Sequence, residues 1–83
     1  MIFVNYYTAA WCAPCKRLKP MAKKIAREAG AEFAEIDVDR EEGYVPEYVK
    51  GVPTIIISDG FKILSTLSPD MVNPQALRKA LGT

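Results

Sequence analysis

Two cysteines separated by two residues are the feature that most constrains this chain. Cys12 and Cys15 are the only cysteines among 83 residues, and the chain contains no histidine. A structural disulfide closing so short a loop would stabilise the fold little, because the entropy removed from the unfolded chain grows with loop length. Two cysteines without histidine also fall short of the four ligands of a zinc site. The pair therefore indicates reactive thiol chemistry.

The residues around the pair predict a position between a strand and a helix. Residues 2–8 are rich in aromatic and β-branched side chains, which is typical of a strand. After the pair, apolar residues recur three or four apart, as one face of a helix requires; they are Leu18, Met21, Ala22, Ile25, Ala26 and Ala29. Gly30 can end this helix in the left-handed conformation. Pro20 lies inside it and should bend it.

Three more strands are predicted further along the chain. Residues 33–38 should run parallel to the first strand, because a helix connects the two. Residues 53–58 include three consecutive isoleucines, which suit a strand buried on both faces. Asp59-Gly60 is typical of a two-residue hairpin turn, which returns the chain through residues 61–67.

Two further helices complete the prediction. Asp39 and Glu42 have the spacing of a capping box, so a short helix should begin there. Asn73 can cap a last helix, with Pro74 at its first position and Gly82 at its end. The predicted order is β-α-β-(α)-β-β-α. We expect an α/β fold in a single domain over residues 1–83, a four-stranded mixed β-sheet flanked by helices on both faces.

Charge and hydropathy exclude some functions. The formal net charge is +1, which favours neither nucleic acid nor an anionic membrane as a partner. No apolar run approaches the roughly 20 residues needed to span a bilayer. The first residues lack the features of a signal peptide. We therefore expect a cytoplasmic protein.

The chemistry follows from placing a dithiol at the start of a helix. Unpaired N–H groups and a partial positive charge at a helix N-terminus favour thiolate over thiol, and such cysteines often have a pKa near 7 instead of about 8.5. Cys12 should be the more exposed and more acidic thiol. It would attack a target disulfide, and Cys15 would resolve the mixed disulfide. Pro14 would stiffen the loop between them.

The basic residues that follow admit two interpretations. Lys16, Arg17 and Lys19 oppose the helix dipole in the first turns, where acidic residues are preferred. They could stabilise the Cys12 thiolate, with Lys16 nearest, and attract acidic partners. Alternatively, they form an ordinary solvated helix face.

Other uses of two close cysteines remain open at this point. One is a pair of buried, inert cysteines, or a lone disulfide. Another is a soft-metal or iron–sulfur carrier, since copper-chaperone-like domains also place two cysteines between a first strand and a helix. Those domains end on a strand and lack a proline between the cysteines. This chain is predicted to end on a helix.

Several motifs resemble those of the thioredoxin family. The segment Trp11-Cys12-Ala13-Pro14-Cys15-Lys16 resembles the family's active-site motif, with alanine where glycine is usual. Pro20 matches the helix-kinking proline, and Asp37-Val38-Asp39 matches a segment closing the following strand. Gly51-Val52-Pro53-Thr54 resembles the cis-proline loop that faces the dithiol. The resemblance implies a minimal thioredoxin fold, as in miniature thioredoxins and glutaredoxin-like members.

The resemblance also assigns roles to particular residues. Cys12 would be the nucleophile and Cys15 the resolving thiol. Pro53 would be cis, with the Val52 backbone pairing to an extended substrate segment. Trp11 would belong to the docking surface, together with Ala13 and Pro14 between the cysteines. The alternatives are a trans Pro53 opening a strand and a Trp11 at the edge of the core. Neither a metal nor a cofactor is expected.

Some positions depart from the family pattern. The chain begins directly at the strand before the cysteines, without the first strand and helix of ordinary thioredoxins. The family's buried aspartate, six residues before the nucleophile, is Tyr6 here, and Glu35 stands near the place of a lysine. Water, the Tyr6 hydroxyl or Glu35 could accept the proton of Cys15. Alternatively, Tyr6 and Glu35 are simply a strand aromatic and an edge charge.

The resemblance implies a thioredoxin-like electron donor that reduces protein disulfides. The resemblance implies a reductase of the thioredoxin-reductase type as one partner, ribonucleotide reductase among the targets, and a monomer. A glutathione-dependent glutaredoxin is the alternative. Glutaredoxins usually carry a glycine pair and an acid after the cis-proline strands, whereas residues 65–70 contain Asp70 and no glycine pair.

Overall fold

The computed structural model describes residues 1–40, 45–46 and 49–82. Within these residues, four strands and two α-helices follow the predicted order. Their bounds are β1 (Phe3–Thr8), α1 (Ala13–Glu28), β2 (Glu32–Asp37), β3 (Thr54–Ser58), β4 (Ile63–Leu67) and α2 (Pro74–Leu81). A short 3₁₀ helix (Pro69–Met71), which the sequence did not predict, precedes α2.

The strands form one mixed sheet in the order β2-β1-β3-β4. β1 pairs with β2 in parallel and with β3 in antiparallel, and β4 pairs antiparallel with β3. This topology confirms the predicted four-stranded sheet and the thioredoxin-type α/β fold. Because β1 is central and ends at Thr8, the residues that follow it lie at one edge of the sheet beside the end of β2 and the start of β3.

The core lies between the sheet and the two helices. Alternate residues of a strand point to opposite faces, and one set from β1 and β3 packs with residues of both helices. The strand residues of this set are Val4, Tyr6, Ile55 and Ile57, and the helix residues that pack with them are Ala22, Ile25, Ala26 and Leu77. Tyr7 and Ile56 alternate with this set and are also buried. The prediction that β3 is buried on both faces is therefore confirmed.

The two described helices lie on the same face of the sheet. α1 packs against β1 and β2, α2 packs against β4, and the helices contact each other. The helix expected to begin at Asp39, which would cover the other face, falls mainly on residues 41–44 and 47–48. Those residues lie outside the described part of the chain.

The helix ends follow local sequence signals. α1 continues through Pro20 and ends at Glu28, with Gly30 in the left-handed region at φ +72°. Asn73 caps α2 by accepting a hydrogen bond from the Ala76 N–H at 2.8 Å. None of the helices described in residues 1–40 and 49–82 is long and apolar enough to cross a membrane.

The hairpin between β3 and β4 is longer than predicted. The prediction of a two-residue turn at Asp59-Gly60 is wrong, because Ser58 pairs with Ile63 and four residues connect the strands. The Asp59 carboxylate explains the difference: its Oδ1 accepts hydrogen bonds from the N–H groups of Phe61 and Lys62, both at 2.9 Å. This side chain therefore closes a wider loop than the dipeptide alone predicts.

Candidate active site

Cys12 is the N-cap of α1. Its backbone is extended (φ −94°, ψ 100°), and its N–H donates to the Ala9 carbonyl at 3.1 Å. The Cys12 Sγ accepts from the Cys15 N–H at 3.2 Å, as a capping side chain does. An N–H aimed at this sulfur would stabilise a thiolate in the reduced form, because a helix N-terminus favours negative charge.

The two cysteines form a disulfide across the first helical turn. Cys12 and Cys15 are bonded through their Sγ atoms, with the Cα atoms 5.3 Å apart. Cys15 is fully buried, whereas Cys12 is 5% exposed. This order of exposure agrees with the expectation from the sequence. Of the two cysteines, only Cys12 therefore keeps any exposed surface in the disulfide form.

The Val52–Pro53 loop lies across from Cys12. Its peptide bond is cis, and the Cys12 Sγ lies 3.7 Å from the carbonyl oxygen of Val52. The Thr54 hydroxyl donates to the Gly51 carbonyl at 2.6 Å, which closes the loop before β3 begins. Residues 40 positions apart in sequence thus meet at the dithiol, and Val52 and Pro53 lie where the resemblance expected them.

Trp11 stands on the rim of the site. Its side chain is 71% exposed. The alternative interpretation, in which Trp11 packs at the edge of the core, is therefore wrong. The indole Nε1–H donates to Asp39 Oδ2 at 2.6 Å, and the Asp39 N–H in turn donates to Asp37 Oδ1 at 2.9 Å. The end of β2 therefore holds an exposed aromatic ring beside Cys12.

A shallow cleft of about 160 Å³ opens beside this ring. It is lined mainly by valines and by the loop before β3, namely Trp11, Val38, Val45, Val49, Lys50, Gly51 and Val52. Because Val52 also contacts the Cys12 sulfur, an apolar side chain in this cleft would lie next to a disulfide docked at Cys12.

Tyr6 lies beneath the dithiol. It is fully buried, its ring centroid lies 5.8 Å from that of Phe33, and its hydroxyl donates to the Cys15 carbonyl at 2.6 Å. Burial, with a smaller contribution from the negative charge of Glu35, raises the pKa of Tyr6 to about 12. This hydroxyl is therefore a hydrogen-bond donor that holds the first turn of α1, and a poor proton acceptor at neutral pH.

Glu35 is engaged elsewhere. Its carboxylate forms an ion pair with Lys19 Nζ at 3.3 Å, and both side chains are substantially exposed. Such exposed pairs contribute little stability. The pair does link β2 to α1 one turn beyond the dithiol. Glu35 is therefore a solvated charge beside Tyr6 in the sheet register.

Other predicted residues lie on the outer side of the helix start. Ala13 and Pro14 are the first two residues of α1 and are exposed. Lys16 is also exposed, and its backbone N–H donates to the Cys12 carbonyl at 3.3 Å. Its ammonium makes no hydrogen bond or ion pair within residues 1–40, 45–46 and 49–82. Any effect of Lys16 on the Cys12 thiolate therefore acts through space.

Sequence reasoning missed two contacts of this site, Tyr6 with the Cys15 carbonyl and Trp11 with Asp39. The second had a usable signal. β1 and β2 are parallel, so their carboxyl ends meet at the same edge, and Asp39 follows β2 as Trp11 follows β1. Tyr6 had no such signal, because nothing local distinguishes a hydroxyl that bonds a helix from one that faces solvent.

The described residues offer little to a metal. Outside the segments 41–44 and 47–48 and the last residue, no group of three or more histidine, cysteine, aspartate or glutamate side chains is arranged to hold an ion. A two-cysteine disulfide at a helix N-terminus, opposite a cis-proline loop and on a mixed sheet of this order, defines a class of protein. The chain is a thiol–disulfide oxidoreductase.

Comparison with known proteins gives the family. The thioredoxin family model matches residues 1–81. Thioredoxin-2 of Saccharomyces cerevisiae is 31% identical over 85 residues, covering 100% of this chain and 79% of the yeast protein. The structure of Fasciola hepatica thioredoxin superposes with a TM-score of 0.83 at 30% identity, covering 98% of this chain and 78% of that one. Trypanosoma brucei brucei thioredoxin gives 0.83 at 34% identity, with coverage of 99% and 73%.

The chain belongs to the thioredoxin family. The structural similarity extends over nearly the whole chain, so it includes the sheet, both helices and the loop before β3. The resemblance noted in the sequence motifs is confirmed. Disulfide-bearing substrates and a reductase partner follow from membership of this family.

Proposed function

We propose that this protein reduces protein disulfides, with Cys12 as the nucleophile and Cys15 as the resolving thiol. The proposal rests on the position of Cys12: it is the cysteine with the residual exposed surface, its Sγ accepts from the Cys15 N–H, and its Sγ lies 3.7 Å from the Val52 carbonyl oxygen. A target sulfur would therefore approach Cys12 and not the fully buried Cys15. The adjoining loop offers backbone groups to align the target.

The first step forms a mixed disulfide. The Cys12 thiolate attacks one sulfur of the target disulfide, so the target S–S bond breaks and a new S–S bond joins Cys12 to the target. The other target sulfur leaves as a thiolate and takes a proton from solvent. The Cys15 N–H stabilises the attacking anion.

The second step releases the reduced target. Cys15 loses its proton and attacks the Cys12 sulfur, which restores the Cys12–Cys15 disulfide and frees the second target sulfur. Two electrons have then passed from the dithiol to the target. Because the Tyr6 hydroxyl donates to the Cys15 carbonyl and its pKa is raised to about 12, we assign the proton of Cys15 to water.

The target binds as an extended segment across the loop before β3. The Val52 backbone would pair with this segment, as in β-strand addition, and Pro53 would fix the direction of the loop. Trp11, Ala13 and Pro14 would form the surrounding contact surface. An apolar target residue beside the cysteine would enter the valine-lined cleft.

The proposal extends to partners and location. A reductase of the thioredoxin-reductase type would regenerate the dithiol, and ribonucleotide reductase would be among the targets of this electron donor. Action as a monomer in the cytoplasm fits a dithiol that must stay accessible and reduced. Size-exclusion chromatography with light scattering would test whether the protein is a monomer in solution.

The decisive assay measures insulin-disulfide reduction by two electron sources. We expect turnover with NADPH and thioredoxin reductase, and little with glutathione and glutathione reductase. Cys15→Ser should trap a mixed disulfide that mass spectrometry detects, whereas Cys12→Ser should trap none. The reverse trapping pattern would exchange the roles of the two cysteines.

Two other outcomes point to different functions. Turnover driven only by glutathione would make the protein a glutaredoxin. Stoichiometric copper or iron–sulfur cluster on the purified protein, with no reduction of insulin by either source, would make it a metal carrier.

A further inference from the structure

The helix that carries the dithiol also carries most of the positive charge of the chain. α1 contains six of the eleven lysines and arginines and one acidic residue, Glu28, which gives it a formal charge of +5. The whole chain has a formal charge of only +1. Positive charge is therefore concentrated on α1, although the net charge of the whole chain is near zero.

Most of this charge lies on one exposed side of α1, here called the basic face. It consists of Lys16, Arg17, Lys23, Lys24 and Arg27, all of which are exposed. Their spacings of one, seven, eight and eleven residues place them on one side of a helix. Within the described ranges none of these five side chains has a hydrogen bond or ion pair, whereas Lys19 pairs with Glu35 and Glu28 with Arg78.

Helix stability does not explain where this charge is placed. The first turn of α1 has no acidic residue, and Lys16 and Arg17 lie near the N-terminal end, where positive charge opposes the helix dipole. Natural chains keep such local conflicts mainly where function requires them. Of the basic face, only Arg27 lies in the last turn, where positive charge stabilises a helix, whereas both basic residues of α2 lie there.

The basic face runs away from the dithiol along the helix. At about 1.5 Å per residue, Lys16 lies about 6 Å from Cys12 along the axis, and Lys24 lies about 18 Å away. Exposed charges act over about 8 Å at physiological ionic strength. Lys16 and Arg17 therefore act on whatever is bound at Cys12, while Lys23 and Lys24 act on a surface that extends beyond the reacting disulfide.

We infer that the basic face selects disulfide-bearing protein partners that are acidic beside the reacting disulfide. The inference rests on the proposed function, since it names the partners of the same dithiol. Opposite charge raises the rate of encounter and aligns the partner before sulfur exchange, and like charge slows it. Partners with a basic surface at this place are disfavoured.

Three synthetic peptides test the inference. They share one disulfide-bridged loop and differ in a six-residue tail of alternating serine with glutamate, lysine or glutamine. An extended tail of this length reaches about 20 Å, which is enough to lie along α1 as far as Lys24. In low salt, kcat/KM should be about tenfold higher for the glutamate tail than for the lysine tail. In 1 M salt, where the Debye length is about 3 Å, this preference should disappear.

A charge-reversal pair assigns the preference to the helix. Lys23→Glu with Lys24→Glu should lower kcat/KM for the glutamate tail about fivefold to tenfold and leave the glutamine tail unchanged. Lys62→Glu with Lys79→Glu is the matched control, because it makes the same change of net charge at two exposed positions outside α1. The control should keep the preference to within about twofold.

The other possible results separate failure of the inference from failure of the proposed function. Equal turnover of all three peptides by the unmodified protein, or equal losses in both double variants, would overturn the inference and leave the proposed function intact. No reduction of even the glutamine-tailed peptide would overturn the proposed function. Tight binding of a 20-base-pair DNA duplex at physiological salt, lost in the helix variant and accompanied by no peptide preference, would assign the basic face to nucleic acid instead.

Discussion

The two helices begin in the same way and serve different ends. Each has an N-cap side chain that accepts the N–H three residues on, Cys12 from Cys15 at 3.2 Å and Asn73 from Ala76 at 2.8 Å. Each also has a proline at one of its first two positions. The geometry of capping is therefore shared, and the difference lies in the capping atom.

The capping atom decides whether this position is structural or reactive. An amide oxygen in α2 satisfies an N–H group and does nothing further. A sulfur in α1 receives the same N–H and is thereby stabilised as an anion, which makes it a nucleophile. The surroundings follow this division: α2 has its basic residues only in its last turn, whereas α1 has Arg27 in its last turn and also Lys16 and Arg17 near its start.

The largest expected effect comes from exchanging the capping sulfur for oxygen. Cys12→Ser should lower insulin reduction by at least about 10³-fold, because the nucleophile is lost. Serine is a preferred N-cap, so the reduced variant should unfold at a urea concentration no lower than that of the reduced parent. Asn73→Ser, the same type of cap in α2, should leave activity unchanged. A fall in activity with Asn73→Ser would contradict the division between the two helices.

The buried hydroxyl of Tyr6, which contacts the first turn of α1, should make the stability of the protein depend on pH. No such hydroxyl is described beside α2. Tyr6→Phe removes the bond to the Cys15 carbonyl and should cost about 1 kcal/mol in the free energy of unfolding at pH 7. The pKa of Tyr6 is raised from 10.0 to about 12. The unfolded state therefore ionises first, and the parent loses stability as pH rises from about 10 to about 12.

The parent should lose about 1.4 kcal/mol by pH 11 through Tyr6 alone. The stability difference between parent and Tyr6→Phe should therefore vanish near that pH and reverse above it. Urea denaturation of both proteins from pH 8 to 11.5 measures this, because the other titrating groups are common to both and cancel. A constant difference across this range would show that the hydroxyl ionises equally in both states.

A smaller loss is expected from removing the structural cap. Asn73→Ala should lower the free energy of unfolding by about 1 kcal/mol, because the Ala76 N–H loses its acceptor. Activity at 25 °C should not change, since none of the hydrogen bonds described at the dithiol comes from α2. Thermal denaturation and the insulin assay together test this. A loss of turnover in a folded Asn73→Ala protein would link α2 to the site.

The smallest effect is expected from the basic residue nearest the dithiol. Lys16→Gln should raise the pKa of Cys12 slightly in the reduced protein, because one positive charge that acts through space is removed. Titration of thiolate absorbance near 240 nm measures the change, with Lys79→Gln as the control on α2. An unchanged pKa would show that the N–H of Cys15 and the helix dipole alone stabilise the thiolate.

Much of this fold could be predicted because its signals are local. Apolar periodicity, the cap at Asn73 and the glycine after each helix gave both helices, and the isoleucine run gave β3. The predicted hairpin turn was wrong because the Asp59 carboxylate accepts from the N–H groups of Phe61 and Lys62, which outweighs the preference of Asp-Gly for a tight turn. The 3₁₀ helix at Pro69–Met71 has no periodicity to reveal it.

In the site, too, the local features could be predicted from the sequence and the long-range contacts could not. Cys12 and Cys15 could be predicted as a pair because their chemistry depends on a spacing of three residues at the start of a helix. The contacts of Cys12 with Val52 and of Trp11 with Asp39 join residues 40 and 28 positions apart. Such contacts depend on strand order, so only the family resemblance or the structure could give them.

The exposed indole of Trp11 has a practical consequence. It is the only tryptophan of the chain, and it lies on the rim of the dithiol, hydrogen-bonded to Asp39. Nearly all intrinsic fluorescence excited at long ultraviolet wavelengths therefore originates at one place. Sulfur exchange or partner docking can be followed in real time without an attached dye, while changes at the distant hairpin leave the emission unaltered.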